Sequence, residues 1–310
     1  MNILNKRYIF FALSLLIIIP GLIILGVKAA QKNLPLSIDF TGGSLLEVQF
    51  ESDSVPQPAD VLTLYENFGT RDAQVQTTES GSILIRSAFM DEPIRDQVIT
   101  AMKDQFGGEV TVLRFDSVGP SIGKQVTSRA AIAVGVAALA ILIYITLAFR
   151  RVEHAFRLGL CAIIAMLHDV AVVFSLVAIG SLLFGWEIDA LFLTALLTVI
   201  GFSMQDKIVV FDRIRENSNV LRRLEFEKMV NHSIVQTLQR SINTQLMTVE
   251  FLLLALALFG GLTLREFAVV LLVGLLSGTY SSIFIASPIL VVWENREWRT
   301  WFRRRPASAA

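Results

Sequence analysis

Long apolar runs separated by polar and charged stretches dominate the chain. Six runs approach the roughly 20 residues that a helix needs to cross about 30 Å of hydrocarbon: 8–27, 130–149, 158–183, 190–211, 246–261 and 267–293. Between the first two the pattern changes. In 44–50, Leu46, Val48 and Phe50 alternate with Glu47 and Gln49, the period of a half-buried strand. In 59–68, after Pro56 and Pro58, Val61, Leu62, Leu64, Tyr65 and Phe68 fall at helical spacing. Short strands are expected at 73–78 and 82–88 around a Glu-Ser-Gly turn. A helix is expected at 94–106, started near Asp91 with Pro93 in its first turn and stopped by Gly107 and Gly108, followed by a strand at 110–115. This β-α-β-β-α-β order predicts a ferredoxin-like domain set between two membrane helices.

The distribution of basic residues orients the spans. Lys6 and Arg7 precede the first; Arg150, Arg151 and Arg157 follow the second; six Lys or Arg between Arg213 and Arg240 follow the fourth; five Arg between Arg296 and Arg305 follow the sixth. Alternate ends are therefore basic, which predicts a multi-pass membrane protein with both termini cytoplasmic and the small domain outside. The first run resembles a secretory signal in its charged start, but its apolar core is longer than the about 7–15 residues of a signal peptide, so a retained helix is expected. The expected organisation is a tail and first helix (1–28), the periplasmic domain (29–128), five helices (129–293) with an amphipathic cytoplasmic segment (213–240), and a basic tail (294–310).

Composition agrees with this picture. The 310 residues are 54% apolar and only 17% charged, below the quarter typical of soluble domains, and mean hydropathy is +0.60. Twenty-seven basic residues balance 27 acidic ones, and positive-inside topology accounts for the basic loops, so a nucleic-acid partner is not expected. The single cysteine, Cys161, permits no intrachain disulfide. No H-E-x-x-H or second His/Cys cluster is present, so neither a metal nor a cofactor is expected. Gly119-Pro-Ser-Ile-Gly123 matches G-x-S-x-G, but it leads from a small domain into a membrane helix rather than standing in a hydrolase sheet. A turn that starts the second helix is the better reading, and no catalytic residue is expected.

The candidate chemistry lies inside the membrane runs, where an ionisable residue is costly. His168 and Asp169 sit near the middle of the third, where a structural hydrogen-bonding pair is the alternative to the expected proton-handling or gating role. At the cytoplasmic end of the fourth, Asp206 and Arg213 are seven apart and share a face. Lys207 points elsewhere and needs another partner. Glu250, at a backbone depth of about 10 Å against about 7 Å for Lys207 at 1.5 Å per residue, is the expected one, giving an intramembrane ion pair. Gly274-Leu-Leu-Ser277-Gly278 predicts close helix packing.

Five segments together resemble a known family: Ile38-Asp39-Phe-Thr-Gly42-Gly43; Val118-Gly119-Pro120-Ser-Ile-Gly123; His168-Asp169-Val170; the run from Gly201 to Asn217 containing Gln205-Asp206-Lys207 and Phe211-Asp-Arg213; and Gly278 to Pro288. They are similar to the SecF branch of the SecD/SecF family of protein-export subunits, relatives of the proton-driven RND transporters. The resemblance extends over essentially the whole chain. It implies six transmembrane helices, association with SecD and the SecYEG channel, with YajC and YidC as further associates, and contact with membrane lipids. It also implies proton-motive-force-driven assistance to late, periplasmic steps of translocation of preproteins pushed by SecA. By motif, Asp169, Asp206 and Arg213 match the family's proton-passage residues, with His168 beside them, and Asp39, Gly42, Gly43, Gly119 and Pro120 match its turns. The sequence departs from the family pattern in two places: the usual Asn-Asp-Thr is Gln205-Asp206-Lys207, and Glu250 stands where an apolar residue is usual. An efflux half-transporter with the same helix arrangement, a structural assembly subunit and an intramembrane hydrolase are the competing readings.

Overall fold

The computed structural model describes residues 3–31, 33–51, 56–69, 73–78, 81–148, 155–245, 251–259 and 262–299. The chain divides into two compact units, one built from 36–133 and the other from 1–35 with 134–310.

The smaller unit contains a short helix α2 (Ile38–Thr41), then β1 (Gly43–Phe50), α3 (Pro58–Asn67), β2 (Gln74–Thr77), β3 (Ile83–Ser87), α4 (Glu92–Phe106) and β4 (Val110–Val118). The strands form one antiparallel sheet in the order β2-β3-β1-β4. The period-2 pattern of β1 sets its faces: Leu46, Val48 and Phe50 are buried, with Leu46 opposite Ile85 and Phe115 and Phe50 opposite Val110. A register shift between Glu47 and Val48 leaves Leu113 as the extra residue of a bulge in β4, and its side chain is exposed. Val61, Leu64 and Tyr65 of α3 and Val98 and Met102 of α4 complete this core. Asp91 caps α4 by accepting from Ile94 N at 3.2 Å, and Pro93 stands in the first turn, where a missing N–H costs nothing.

The larger unit is helical. Its elements are α1 (Arg7–Ala30), the later part of α5 (Pro120–Ala148), α6 (Ala155–Leu183), α7 (Ala190–Val220), α8 (Phe226–Gln245), α9 (Phe251–Phe259), α10 (Leu262–Ser281), a π-helical stretch (Ser282–Ala286) and α11 (Ser287–Glu294). Five helical spans among the described residues are long and apolar enough to cross a membrane: Leu4–Ala30, Pro120–Ala148, Phe156–Leu183, Ala190–Val220 and Leu264–Glu294. Of the expected fifth run, 246–250 and 260–261 lie outside the described residues, and α9 is the described part. The centre of the unit is the packing of α6, α7 and α10, where Ala165, Val173, Val199, Ile200, Met204 and Leu275 are buried. Close approach there depends on a residue without a side chain: a Cβ on Gly278 would lie 3.1 Å from Ser203 Cα.

The observed elements differ from expectation in two places. Apolarity fades at 211, yet α7 continues to Val220, because 212–220 contains no Gly or Pro and the buried Ile214 and Asn217 extend its inward stripe. The expected amphipathic segment 213–240 is therefore split between the end of α7, a turn, and α8. The apolar residues Met229, Val230 and Ile234 of α8 are buried in the bundle, and Asn217 Nδ2 ties the two helices by donating to Ser233 Oγ at 2.8 Å and Gln236 Oε1 at 2.9 Å. The final long run is also not uniform. Pro288 has no N–H and its ring crowds the carbonyl four residues earlier, and the π-helical turn immediately before α11 absorbs that misfit. Ser287 Oγ donates to the Ser282 carbonyl at 3.1 Å.

Candidate functional site

In the smaller unit the structure brings the two turn motifs together. Asp39 occupies the first turn of α2, where its N–H donates to Ser37 Oγ at 3.2 Å. Gly42 ends that helix at φ +73°, and Gly43 follows at φ +128°, a backbone path that L side chains rarely adopt. A Cβ on Gly42 would lie 2.9 Å from Pro120 Cα, and one on Gly43 2.7 Å from the Ser87 carbonyl oxygen. From the other motif, Gly123 packs on the Gly42 backbone. Thr127 Oγ1 donates to the Phe40 carbonyl at 3.1 Å. Pro120 opens α5, and the Gly119 carbonyl accepts from Ile122 N at 2.9 Å, so the G-x-S-x-G match is the first turn of a helix. These residues fix the start of β1 against the end of β4 and the beginning of α5.

The densest polar constellation lies in the helical unit. Asp169 on α6 and Lys207 on α7 are both fully buried, and Lys207 Nζ donates to Asp169 Oδ2 at 2.7 Å. Three serines surround them. Ser203 and Ser281 donate to Asp169 Oδ2 at 2.5 and 2.7 Å, and Ser277 donates to Oδ1 at 2.8 Å. The ammonium also donates to Ser281 Oγ at 2.9 Å and to Ser203 Oγ. Helical spacing explains the arrangement: Ser203 and Lys207 are four apart on α7, as are Ser277 and Ser281 on α10, so each pair projects from one face. His168 Nδ1 lies 3.1 Å from Asp169 Oδ1. An ionised carboxylate only accepts, which requires the Nδ1–H tautomer in the neutral ring. The ring stacks on Tyr280, and its Nε2 is buried without a hydrogen bond among the described residues.

Asp206 lies in a different polar pocket, between α7, α8 and α10. Its Oδ2 accepts from Gln245 Nε2 and Thr279 Oγ1, each at 3.0 Å. Arg213 is not part of either cluster: its side chain is 37% exposed and pairs with Glu216 at 2.5 Å on the same helix. Glu250 lies outside the described residues. Lys207, for which it was the expected partner, pairs with Asp169 among the described residues. Cys161 is buried and free. Among the described residues no group of three His, Cys, Asp or Glu could hold a metal ion.

Pattern reading identified Asp169, His168 and Lys207 as costly residues but did not join the first to the last. Counting residues compares backbone depths, whereas a lysine carries its ammonium at the end of four methylenes. It also read Ser277 only as part of a packing motif and left Ser281, Gln245 and Thr279 unassigned. The available signal was the hydroxyl run 277–282 in an otherwise apolar helix. Chemically, a carboxylate and an ammonium held in a dry pocket by neutral donors can gain or lose one proton only with a large change in local electrostatics.

Comparison with known proteins gives a consistent result. The sequence model described as "Protein export membrane protein SecD/SecF, C-terminal" matches residues 97–296, and that of the "SecD/SecF GG Motif" matches 32–54. The chain is 66% identical to the protein translocase subunit SecF of Anaerolinea thermophila, covering all of both chains. It is 47% identical to that of Thermobaculum terrenum, over 100% of this chain and 99% of the relative. The crystal structure of SecDF, a translocon-associated membrane protein from Thermus thermophilus, superposes with a TM-score of 0.78 at 34% identity, covering 96% of this chain and 39% of that longer one.

Proposed function

This chain belongs to the SecF branch of the SecD/SecF family, and from that premise we propose that it couples the proton-motive force to late steps of preprotein translocation. It is a multi-pass membrane protein with an accessory role in the Sec translocase. In the proposed reading it works without enzymatic chemistry in the bacterial inner membrane, with both termini cytoplasmic and the β-α-β-β-α-β unit as a ferredoxin-like periplasmic domain. The similar SecDF chain is more than twice as long, and a separate SecD subunit is the partner proposed to supply the remainder. SecYEG is the channel it serves, SecA the motor that precedes it, and YajC and YidC further associates.

The observation that supports the reading most is the buried Asp169–Lys207 pair at the crossing of α6, α7 and α10. Protonation of Asp169 cancels the charge that faces the ammonium and releases the three serine hydroxyls from an ionic acceptor. Lys207 must then find new partners or the helices must shift. His168, hydrogen-bonded to Asp169 on one side and with its second nitrogen still available, is the group proposed to pass the proton. The α6–α7–α10 crossing is the two-state element, and the small domain receives the shift through the covalent connections at 28–41 and 117–126. Each proton falling through 100 mV supplies about 2.3 kcal/mol, so movement of a chain requires repeated cycles.

The test replaces Asp169 by Asn in cells that lack the native copy, with accumulation of uncleaved secretory precursors as the readout. Precursors are expected to accumulate as in depleted cells and to stop responding to the proton-motive force even where expression is raised until the chain reaches wild-type amounts in the membrane. Wild-type processing in the variant refutes the assignment. Normal processing on depletion together with sensitivity to toxic solutes points instead to efflux.

A further inference from the structure

The environment of Lys207 Nζ is that of a small cation rather than of a simple ion-pair donor. Four oxygens surround it: Asp169 Oδ2 at 2.7 Å, Ser281 Oγ at 2.9 Å, the Ser203 carbonyl at 3.4 Å, and Ser203 Oγ. They combine a carboxylate, a main-chain carbonyl and two hydroxyls, the mixed oxygen set with which proteins hold hard cations. From the geometry we propose that α6, α7 and α10 form a monovalent-cation seat, and that in this chain the seat is filled by the tethered ammonium of Lys207.

Charge and size both select a monovalent occupant. One carboxylate, Asp169, touches the positive charge; Asp206 acts on it only at longer range and is hydrogen-bonded to Gln245 and Thr279. The three contacts at 2.7–3.4 Å are longer than the about 2.3–2.6 Å of Ca2+ and the about 2.0–2.1 Å of Mg2+. A free cation of ammonium size fits the four oxygens without rearrangement. While Lys207 is in place none can enter, so the charge of the Asp169 site changes by protons alone. That last consequence rests on the proposed coupling reading; the seat itself does not.

The test therefore measures binding and not export. Full-length chain is purified in detergent as wild type, Lys207→Ala, Lys207→Ser and Lys207→Ala/Asp169→Asn, and each is unfolded thermally in ammonium, potassium, sodium or choline chloride at equal ionic strength. Lys207→Ala and Lys207→Ser are expected to unfold at least about 2 °C higher in ammonium or potassium than in choline, because a ligand that binds only the folded state stabilises it. The wild type and the double variant are expected not to distinguish the salts. A variant that folds only when ammonium or potassium is present supports the proposal equally. Salt-independent unfolding of both Lys207→Ala and Lys207→Ser, failure of both to fold even in ammonium, or an Asp169-dependent cation effect in the wild type overturns it. Because no export is measured, these outcomes leave the proton reading standing, and a fully active Asp169→Asn leaves the seat standing.

Discussion

Two buried carboxylates sit on either side of the same stretch of α7, and they are satisfied in opposite ways. Asp169 faces an ammonium and a ring of hydroxyls, while Asp206 accepts two hydrogen bonds from a neutral amide and a neutral hydroxyl. In the first pocket the charges are interdependent: removing either leaves the other buried and unpaired. In the second, each donor contributes its own bond and its loss changes no other charge. A pocket of the first kind suits a switch. One of the second kind suits an anchor between α7, α8 and α10.

The largest expected effect follows from that interdependence. Lys207→Met fills the volume but leaves Asp169 without its cation, and is expected to lower stability by about 3–5 kcal/mol. Adding Asp169→Asn is expected to recover most of the loss, because a neutral pair in a buried site costs little relative to the ion pair it replaces. Denaturant unfolding of the purified chain in a double-mutant cycle measures the coupling. If the two changes simply add, the pair does not act as a unit and the contrast with Asp206 fails.

At Asp206 the expected loss is smaller, and no second change recovers it. Thr279→Val removes one donor at 3.0 Å and Gln245→Leu the other, each costing about 1.5–3 kcal/mol as a hydrogen bond to a charged group. The double variant leaves Asp206 Oδ2 without either donor and is expected to lose at least the sum, measured in the same unfolding series. Rescue of either by Lys207→Met would mean that the two pockets are one network.

How much of this was legible in the sequence depends on range. Local patterns carried most of the small unit: alternation located β1, and Asp91, Pro93 and Gly107 bracketed α4 to within a residue or two. Apolar length located five spans among the described residues, but not the end of α7, since hydropathy follows the solvent and helix periodicity continues past it. Asp169 and Lys207 were each conspicuous because isolated charges in apolar runs are expensive. Their pairing was not, because it depends on which faces of α6 and α7 meet around the small residues of α10, and Gly278 against Ser203 is a contact between helices that no single helix encodes. The serines were the least visible, since a hydroxyl in a membrane helix packs as a small residue until a carboxylate is placed beside it.

The smallest effect sharpens the contrast from the wet side. Outside the spans, Glu297 accepts from Arg7 Nη2 at 2.6 Å, Tyr8 Oη at 2.6 Å and Asn295 Nδ2 at 3.3 Å. Burial pushes its carboxyl up, but the hydrogen bonds from Tyr8 and Asn295 and the Arg7 charge together hold it below its ordinary value. A carboxylate depressed in the folded state stabilises fully above the unfolded value of about 4.3 and ceases to do so as pH falls through the lower folded value. The stability gap between wild type and Glu297→Gln is therefore expected to be open at pH 7 and to close in acid. The Arg7 and Glu297 side chains are 13% and 15% exposed, so water and salt screen the pair only in part, and the gap is expected to be about 1 kcal/mol and to shrink in high salt. Thermal unfolding of both proteins across a pH series in low and high salt reads it. A gap as large and as salt-insensitive as that of Lys207→Met would show that complete burial is not what separates the Asp169 pair from a half-buried one outside the spans.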